Sequence, residues 1–459
     1  MRKRLGVAVW VCSLVCAGAG GPAAAGLAYE RVGPPPAATA YGTVAVDPRE
    51  PGRWHWFSRG RLPTRHGGGG DQGFFGTGDG GLSWRQEAGV APSVNAGNGG
   101  ALVHPQRPDR VVAVCEWQPN LWVSEDAGRS WAGREAPYKH GICVASDPRD
   151  PEVLYVGSDD GVWRSRDGGR AWEPLEAGLP GEPPVGVSNT VSALAVDPQD
   201  PDTVYAAYLY ADPGSPWGVY RSRDGGDSWE PANRGLPETA RELDFSKLKL
   251  PEPKPGQPAM RLADLGVVRL QHRAADGLLA WSERSGVAGG SGASGASGGA
   301  GASGGSGVSG GTTLLVSTRE SGLFRSEDGA GSWRRVGPPR WEEPGGGRGA
   351  KATGLAAHPG DPSFVYAATD RLSLHVSADG GRTWAFLGRL AEPLDGGGWR
   401  LPGGEALDAA AWEAAPSLRR TRAYAPRFVP GSPRELLVPT DAGLLRVSLP
   451  GHAAPAGPA

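Results

Sequence analysis

Apolar residues in this chain fall in runs of four to six, bounded by Gly, Pro, Asp and Ser, and almost nowhere at helical spacing. "EVLYVGS" (152–158), "GVWRS" (161–165) and "TVYAAY" (203–208) are examples. Runs this short, rich in β-branched and aromatic residues and closed by turn formers, predict buried strands. The runs recur in a fixed order: a strand, a Pro-rich turn, a strand, a short turn, a strand, a polar octet, a strand. The turn phrase reads "VAVDPREP", "LVHPQRPD", "VASDPRDP", "LAVDPQDP" and "LAAHPGDP" in successive copies. Four short strands per unit, repeated, are what a propeller blade needs.

The octet is the clearest repeat: "TGDGGLSW" (77–84), "SEDAGRSW" (124–131), "SRDGGRAW" (165–172), "SRDGGDSW" (222–229), "SEDGAGSW" (326–333) and "SADGGRTW" (377–384). Its Ser or Thr and its Asp (Asp79, Asp126, Asp167, Asp224, Asp328, Asp379) are two apart and suited to bonding the turn's own backbone. The second Gly permits a positive φ. The Trp (Trp84, Trp131, Trp172, Trp229, Trp333, Trp384) enters the fourth strand and is expected to wedge between neighbouring sheets. Ala330 replaces the second Gly in the fifth copy, which predicts a looser turn there.

A seventh unit without an octet, "RAYAPRFVPGSPRELLVPTDAGLLRVSLPG", contains only three strand-like runs. "AYERVGPPP" (28–36) parallels "SWRRVGPPR" (332–340), the fourth strand after the fifth octet. The expectation is therefore an all-β, single seven-bladed propeller of four-stranded blades over 28–450, its last blade closed by residues 28–33. Closure of this kind removes exposed strand edges. From Trp229 to Trp333 there are 104 residues, against 41 to 57 in the other intervals. The excess is read as one blade with a Pro-rich insertion (238–260) and a Gly/Ser tract (285–311) without means of packing. Its first strand is placed near "LGVVRLQHR".

Composition adds the compartment. Residues 1–25 combine "MRKR", the apolar "LGVAVWVCSLVCAGAG" and the small-residue "GPAAAG", the layout of an export signal. No other stretch is long and apolar enough to span a bilayer, so the mature chain is expected to be secreted or periplasmic, with 451–459 as a disordered tail. Cys115 and Cys143 remain after the signal, and export allows either a disulfide or two buried thiols. With 47 Lys+Arg against 49 Asp+Glu there is no bulk field for nucleic acid. The eight histidines form no ligand-like cluster, no phosphate loop follows a strand, and no metal or cofactor is expected.

Function in such a ring is expected on the face of the second-to-third-strand loops and blade-to-blade connections. Carboxylates recur there: Asp71, Glu116, Asp159, Asp160, Asp212, Glu320, Asp370 and Asp441. Aromatic residues assigned to the same face are Trp117, Tyr208, Tyr210, Trp217, Trp341, Trp399 and Trp412. Together they suit a sugar, a cation or a basic partner, although Asp in a turn commonly serves only its own backbone. Oligomeric state is not readable.

The octet resembles the Asp-box of the bacterial neuraminidase repeat, and the resemblance implies that the box is scaffold on the face away from the ligand. Sialidases of this class carry an aromatic-Arg-Ile-Pro phrase, of which "GRLP" (60–63) with Arg61 is the only trace, and no Tyr–Glu pair stands out. The phrasing is closer to xyloglucanase-type glycoside hydrolases, similar over most of the chain. That resemblance places candidate catalytic carboxylates at Asp160, Asp370 and Asp441. Those enzymes draw their acid and base from two facing propellers, and this chain has room for one. Noncatalytic members, among them photosystem assembly factors and sortilin-like receptors, hold protein partners. The resulting expectation is a module that binds a glycan or an extracytoplasmic protein, with a glycoside hydrolase as the alternative.

Overall fold

The computed structural model describes residues 27–33, 41–59, 73–87, 100–115, 118–180, 190–208, 218–237, 240–242, 269–271, 275–281, 312–318, 321–343, 349–394, 399–402, 406–408, 410, 423–440 and 443–450. Seven four-stranded antiparallel sheets form the blades of a propeller. Blade 3 is representative: Gly141–Ser146, Leu154–Ser158, Gly161–Ser165 and Glu173–Leu175 pair in that order. The first strands of neighbouring blades pack against one another and so line the axis, as Gly141–Ser146 does against Val191–Val196 and Val191–Val196 against Ala275–Trp281.

The last blade consists of Arg427–Val429, Ser432–Thr440, Gly443–Ser448 and, on its outer edge, Tyr29–Arg31. Tyr29 pairs with Val447 and Arg31 with Leu445. The N-terminal segment also spans the neighbours: Leu27 N–H donates to Arg389 O of blade 6 at 3.2 Å, and Trp84 Nε1–H of blade 1 donates to Val32 O at 2.5 Å. The expected closure is therefore present.

Apolar packing lies between the sheets. One cluster joins Tyr205, Ala207 and Val219 of blade 4 to Leu314, Val316, Phe324 and Trp333 of blade 5, and equivalent clusters fill the other gaps. Trp131, Trp229 and Trp333 are buried among them. In every octet the Ser or Thr hydroxyl bonds the Asp carboxylate and accepts from the fifth residue's N–H; in blade 3 these are Ser165 Oγ to Asp167 Oδ1 (2.9 Å) and Gly169 N–H to Ser165 Oγ (2.7 Å). Ala330 donates to Ser326 Oγ at 2.9 Å with φ of 65°, so the fifth turn is not looser than the rest.

A second device joins the blades. An arginine near the end of the third strand, just before the octet where the blade has one, reaches the carbonyl of the octet's fourth residue in the next blade. Arg164 Nη1 donates to Gly225 O (2.5 Å), Arg221 Nη1 to Gly329 O (2.5 Å), Arg325 Nε to Gly380 O (2.7 Å) and Arg446 Nη1 to Gly80 O (3.2 Å). The last of these crosses the closing seam. Blade 2 has Val123 at this place, and Arg110 and Arg134 reach Gly168 O instead. Blade 1 has Gly76, where a Cβ would lie 2.4 Å from Glu87 Oε1; there Glu87 bonds His55 Nδ1 (2.8 Å) and Trp131 Nε1 (2.7 Å). Blade 6 has Val376, and the blade that follows it carries no octet to be reached.

One expectation is corrected. The inner strand of blade 5 is Ala275–Trp281, not a strand near 265–273; Arg269–Gln271 pairs instead with Ala240–Glu242 in a separate two-stranded sheet. The register pairs Leu278 with Val316 and Ala280 with Leu314, and the sequence agrees: "ADGLLAW" carries an apolar run, whereas "RLQ" is polar at its ends. Of the two alternatives for the cysteines the structure shows the second: Cys115 and Cys143 are buried and form no disulfide, and burial pushes the Cys143 thiol up to about 12. Apart from Ala240–Glu242, the Pro-rich insertion lies outside the described residues, as do the Gly/Ser tract, the expected export signal and the expected C-terminal tail. Among the described residues no helix is long and apolar enough to cross a membrane.

Candidate ligand-binding face

The face opposite the octets is built from the turns between second and third strands and from the connections that enter each inner strand. Near this face, the inner strands of blades 3 to 6 share one irregularity. The register slips by one residue between Gly141 and Cys143, Val191 and Ala193, Ala275 and Gly277, and Ala352 and Gly354. These are bulges, which bend a strand and re-aim the side chains beside it. Ser192 and Thr353 occupy two of them, and each hydroxyl donates to a carbonyl of its second strand, Ala207 O and Ala368 O, at 3.1 Å. The inner strands of these four blades thus share a repeated deviation from the regular ladder on the side of this face.

Asp160 and Asp370 fall on this face and do not come together. Asp160 Oδ1 accepts from Ser158 Oγ (2.6 Å), Lys139 N–H (3.2 Å) and Trp163 Nε1–H (3.2 Å). Asp370 Oδ1 accepts from Lys351 N–H at 2.8 Å, the residue that leads into the inner strand Ala352–Ala357. Both carboxylates tie a turn to the connection beside it. Asp159 differs, because its partners are side chains from two other connections: Oδ2 lies 2.8 Å from His140 Nδ1, and Oδ1 accepts from Thr190 Oγ1 at 2.9 Å. His140 immediately precedes the inner strand of blade 3 and Thr190 that of blade 4. Sequence reasoning missed His140; its position one residue before a predicted inner strand was the available signal.

Of the aromatic residues assigned here, Tyr208 and Trp341 are buried. Tyr208 meets Tyr220 edge-on at 5.3 Å, and desolvation pushes its phenol up. Trp341 stacks on His375 at 4.4 Å. Neither offers an open ring to a sugar. The Trp399 ring lies under the Arg389 guanidinium at 4.6 Å. The Glu343 side chain is buried between Ser373 Oγ, His375 Nε2 (3.3 Å) and Arg389 Nη1 (2.8 Å), a polar knot that fixes the blade 5 to blade 6 connection. Asp71, Glu116, Trp117, Tyr210, Asp212, Trp217, Glu320, Trp412 and Asp441, together with Arg61, lie outside the described residues.

No protein-family model matches the sequence, and no curated protein matches it. Solved structures with a similar fold include YCF48 bound to D1 peptide, 14% identical, with 93% of this chain and 100% of that chain covered and a TM-score of 0.50. The GH74 xyloglucanase from Xanthomonas campestris is 19% identical, with 94% of this chain and 55% of that chain covered and a TM-score of 0.54. The extracellular domain of BT4673 from B. thetaiotaomicron is 11% identical, with 92% and 39% covered and a TM-score of 0.53. The chain spans about half the length of the xyloglucanase. At these identities the likeness establishes the β-propeller fold and nothing finer.

Proposed function

We propose that this chain is an exported Asp-box propeller that binds a glycan or an extracytoplasmic protein, without turnover, on the face opposite the octets. One observation carries the reading: the described candidate acids, Asp160 and Asp370, are committed to main-chain amides of their own blades. A general acid or base must reach the substrate's proton, and inverting hydrolysis needs two carboxyls about 6.5–9.5 Å apart across the bond. A carboxylate whose Oδ1 already accepts from the main chain is held by its own blade, which favours the structural role. The similarity in fold to YCF48 bound to D1 peptide, matched over the full length of that chain, supports a binding role.

The alternative is a glycoside hydrolase, favoured by the similarity in fold to the xyloglucanase. A panel of soluble polysaccharides and a peptide array separate the two. Binding on either panel without release of reducing ends is expected. Turnover that disappears in Asp160→Asn, Asp370→Asn or Asp441→Asn would replace the binding module with the enzyme.

A further inference from the structure

On the octet side of the ring, the turns between first and second strands reach the blade that follows. Arg49 Nη2 of blade 1 donates to Gln106 O of blade 2 (2.8 Å). Arg107 Nη1 of blade 2 lies 3.3 Å from Glu152 of blade 3, and Arg149 Nη2 of blade 3 lies 3.1 Å from Asp202 of blade 4. Blade 7 breaks the series. Its first two strands are joined by Pro430 and Gly431 alone, a tight turn in which Gly431 has φ of 74° and Val429 pairs with Ser432. So short a turn leaves the joint with blade 1 unfilled, and a cleft of about 300 Å³ opens there. Its lining includes the apolar Pro51, Trp54, Val429 and Pro430, with the carboxylates of Asp79 and Glu435.

The octet that lines this cleft is also the one with an apolar tip. Leu82, three residues after Asp79, is 82% exposed and is the single large exposed apolar side chain among the described residues. The same place in the other octets holds Arg129, Arg170, Asp227, Gly331 and Arg382. Charge divides in the same way. Arg85 is exposed at the start of the strand after the octet, Glu435 is half-buried at the cleft, and among the described residues neither forms an ion pair. We propose that this seam is a self-association surface: Leu82 of each copy enters the cleft of the other, with Arg85 facing Glu435 across the joint. A second copy is the occupant because both halves of the match, knob and cleft, lie on this one chain, as an isologous two-fold contact requires. The inference stands apart from the binding reading above, since the contact uses the octet side and leaves the opposite face free in both copies.

Sedimentation velocity of the full chain over a range of micromolar concentrations tests the surface, and a reversible monomer–dimer equilibrium is expected. Leu82→Arg is the informative variant, because Arg129, Arg170 and Arg382 show that the octet accepts arginine at this place. It should keep the parent's melting point and raise the dissociation constant at least about 100-fold, since two leucines leave each interface. Arg85→Glu should weaken the dimer several-fold, and adding Glu435→Arg should restore it. A chain that stays monomeric to about 1 mM, or a dimer whose dissociation constant is the same in Leu82→Arg, overturns the proposal. Affinity per site on the polysaccharide and peptide panels should be equal in Leu82→Arg and the parent, so loss of the dimer and failure of the binding reading are told apart.

Discussion

Gly226 and Ala330 hold the same place in successive octets, and a matched pair of residues explains why one is Gly and the other Ala. A Cβ added at Gly226 would lie 2.7 Å from Leu175 Cδ1 of blade 3. In blade 4 the residue corresponding to Leu175 is Ala232. It follows Pro231 and bonds Val219 O, as Leu175 follows Pro174 and aligns with Val162. Ala232 and Ala330 are buried in the same cluster. Ala232→Leu therefore drives a side chain onto the Ala330 methyl, an overpacking that costs about 1–3 kcal/mol. Ala330→Gly alone is close to neutral: it relieves about 1 kcal/mol of left-handed strain and loses a buried methyl worth about 0.8 kcal/mol. In the double variant the introduced leucine should sit over the introduced glycine as Leu175 sits over Gly226, so the two changes couple by about 1–3 kcal/mol.

A chain of 459 residues moves its melting point by only about 1 °C per kcal/mol, so local hydrogen exchange is the better assay. The reporters are the Ala330 amide, which donates to Ser326 Oγ, and the Trp333 amide, which donates to Arg234 O. Ala232→Leu should speed their exchange roughly five- to 150-fold, and adding Ala330→Gly should restore it. Exchange rates in the double variant equal to the product of the single effects would refute the matched packing.

Four further outcomes are expected. Arg221→Met leaves the Gly329 carbonyl without its donor across the joint between blades 4 and 5, and urea denaturation should show a loss of about 1–3 kcal/mol; an unchanged midpoint would remove the arginine from the account of blade joining. Deleting residues 27–33 strips the outer strand of the last blade and the Val32 contact with Trp84, lowering stability by about 3–5 kcal/mol in the same assay. Native protein should resist thiol reagents at Cys143, which reacts only after unfolding; rapid native labelling would contradict its burial. The Ser83 hydroxyl and amide, with the Thr77 hydroxyl, hold the Asp79 carboxyl down at about 2, against about 3.9 unfolded. Its stabilisation is then present above about pH 4 and lost as pH falls towards 2; acid unfolding of Asp79→Asn should lack that component, and an identical acid profile would count against it.

The ring was legible because its signals are local and repeated. Six octets, the Pro-rich turns and the likeness of 28–36 to 332–340 specify strands, turns and the closing segment without knowledge of any distant contact. What escaped the sequence depends on partners far along the chain. The inner strand of blade 5 was misplaced because its partner Thr313–Thr318 lies beyond a long insertion, so no nearby turn phrase marks it. The arginines that join blades recur visibly before three octets, yet their acceptor lies 55 to 108 residues away in Arg325, Arg164 and Arg221. His140 was passed over because neither its left-handed backbone nor its contact with Asp159 leaves a mark on the order of residues. Asp159, Asp160 and Asp370 looked alike as letters and differ only in what donates to them.

The most direct measurement of where this molecule binds is amide hydrogen exchange with and without a ligand drawn from the polysaccharide panel. Protection is expected at 139–142, 158–161 and 190–192, around the channel mouth, with the octet turns at 77–84, 165–172 and 377–384 unchanged. Protection confined to the octet turns would contradict the assignment of the binding face.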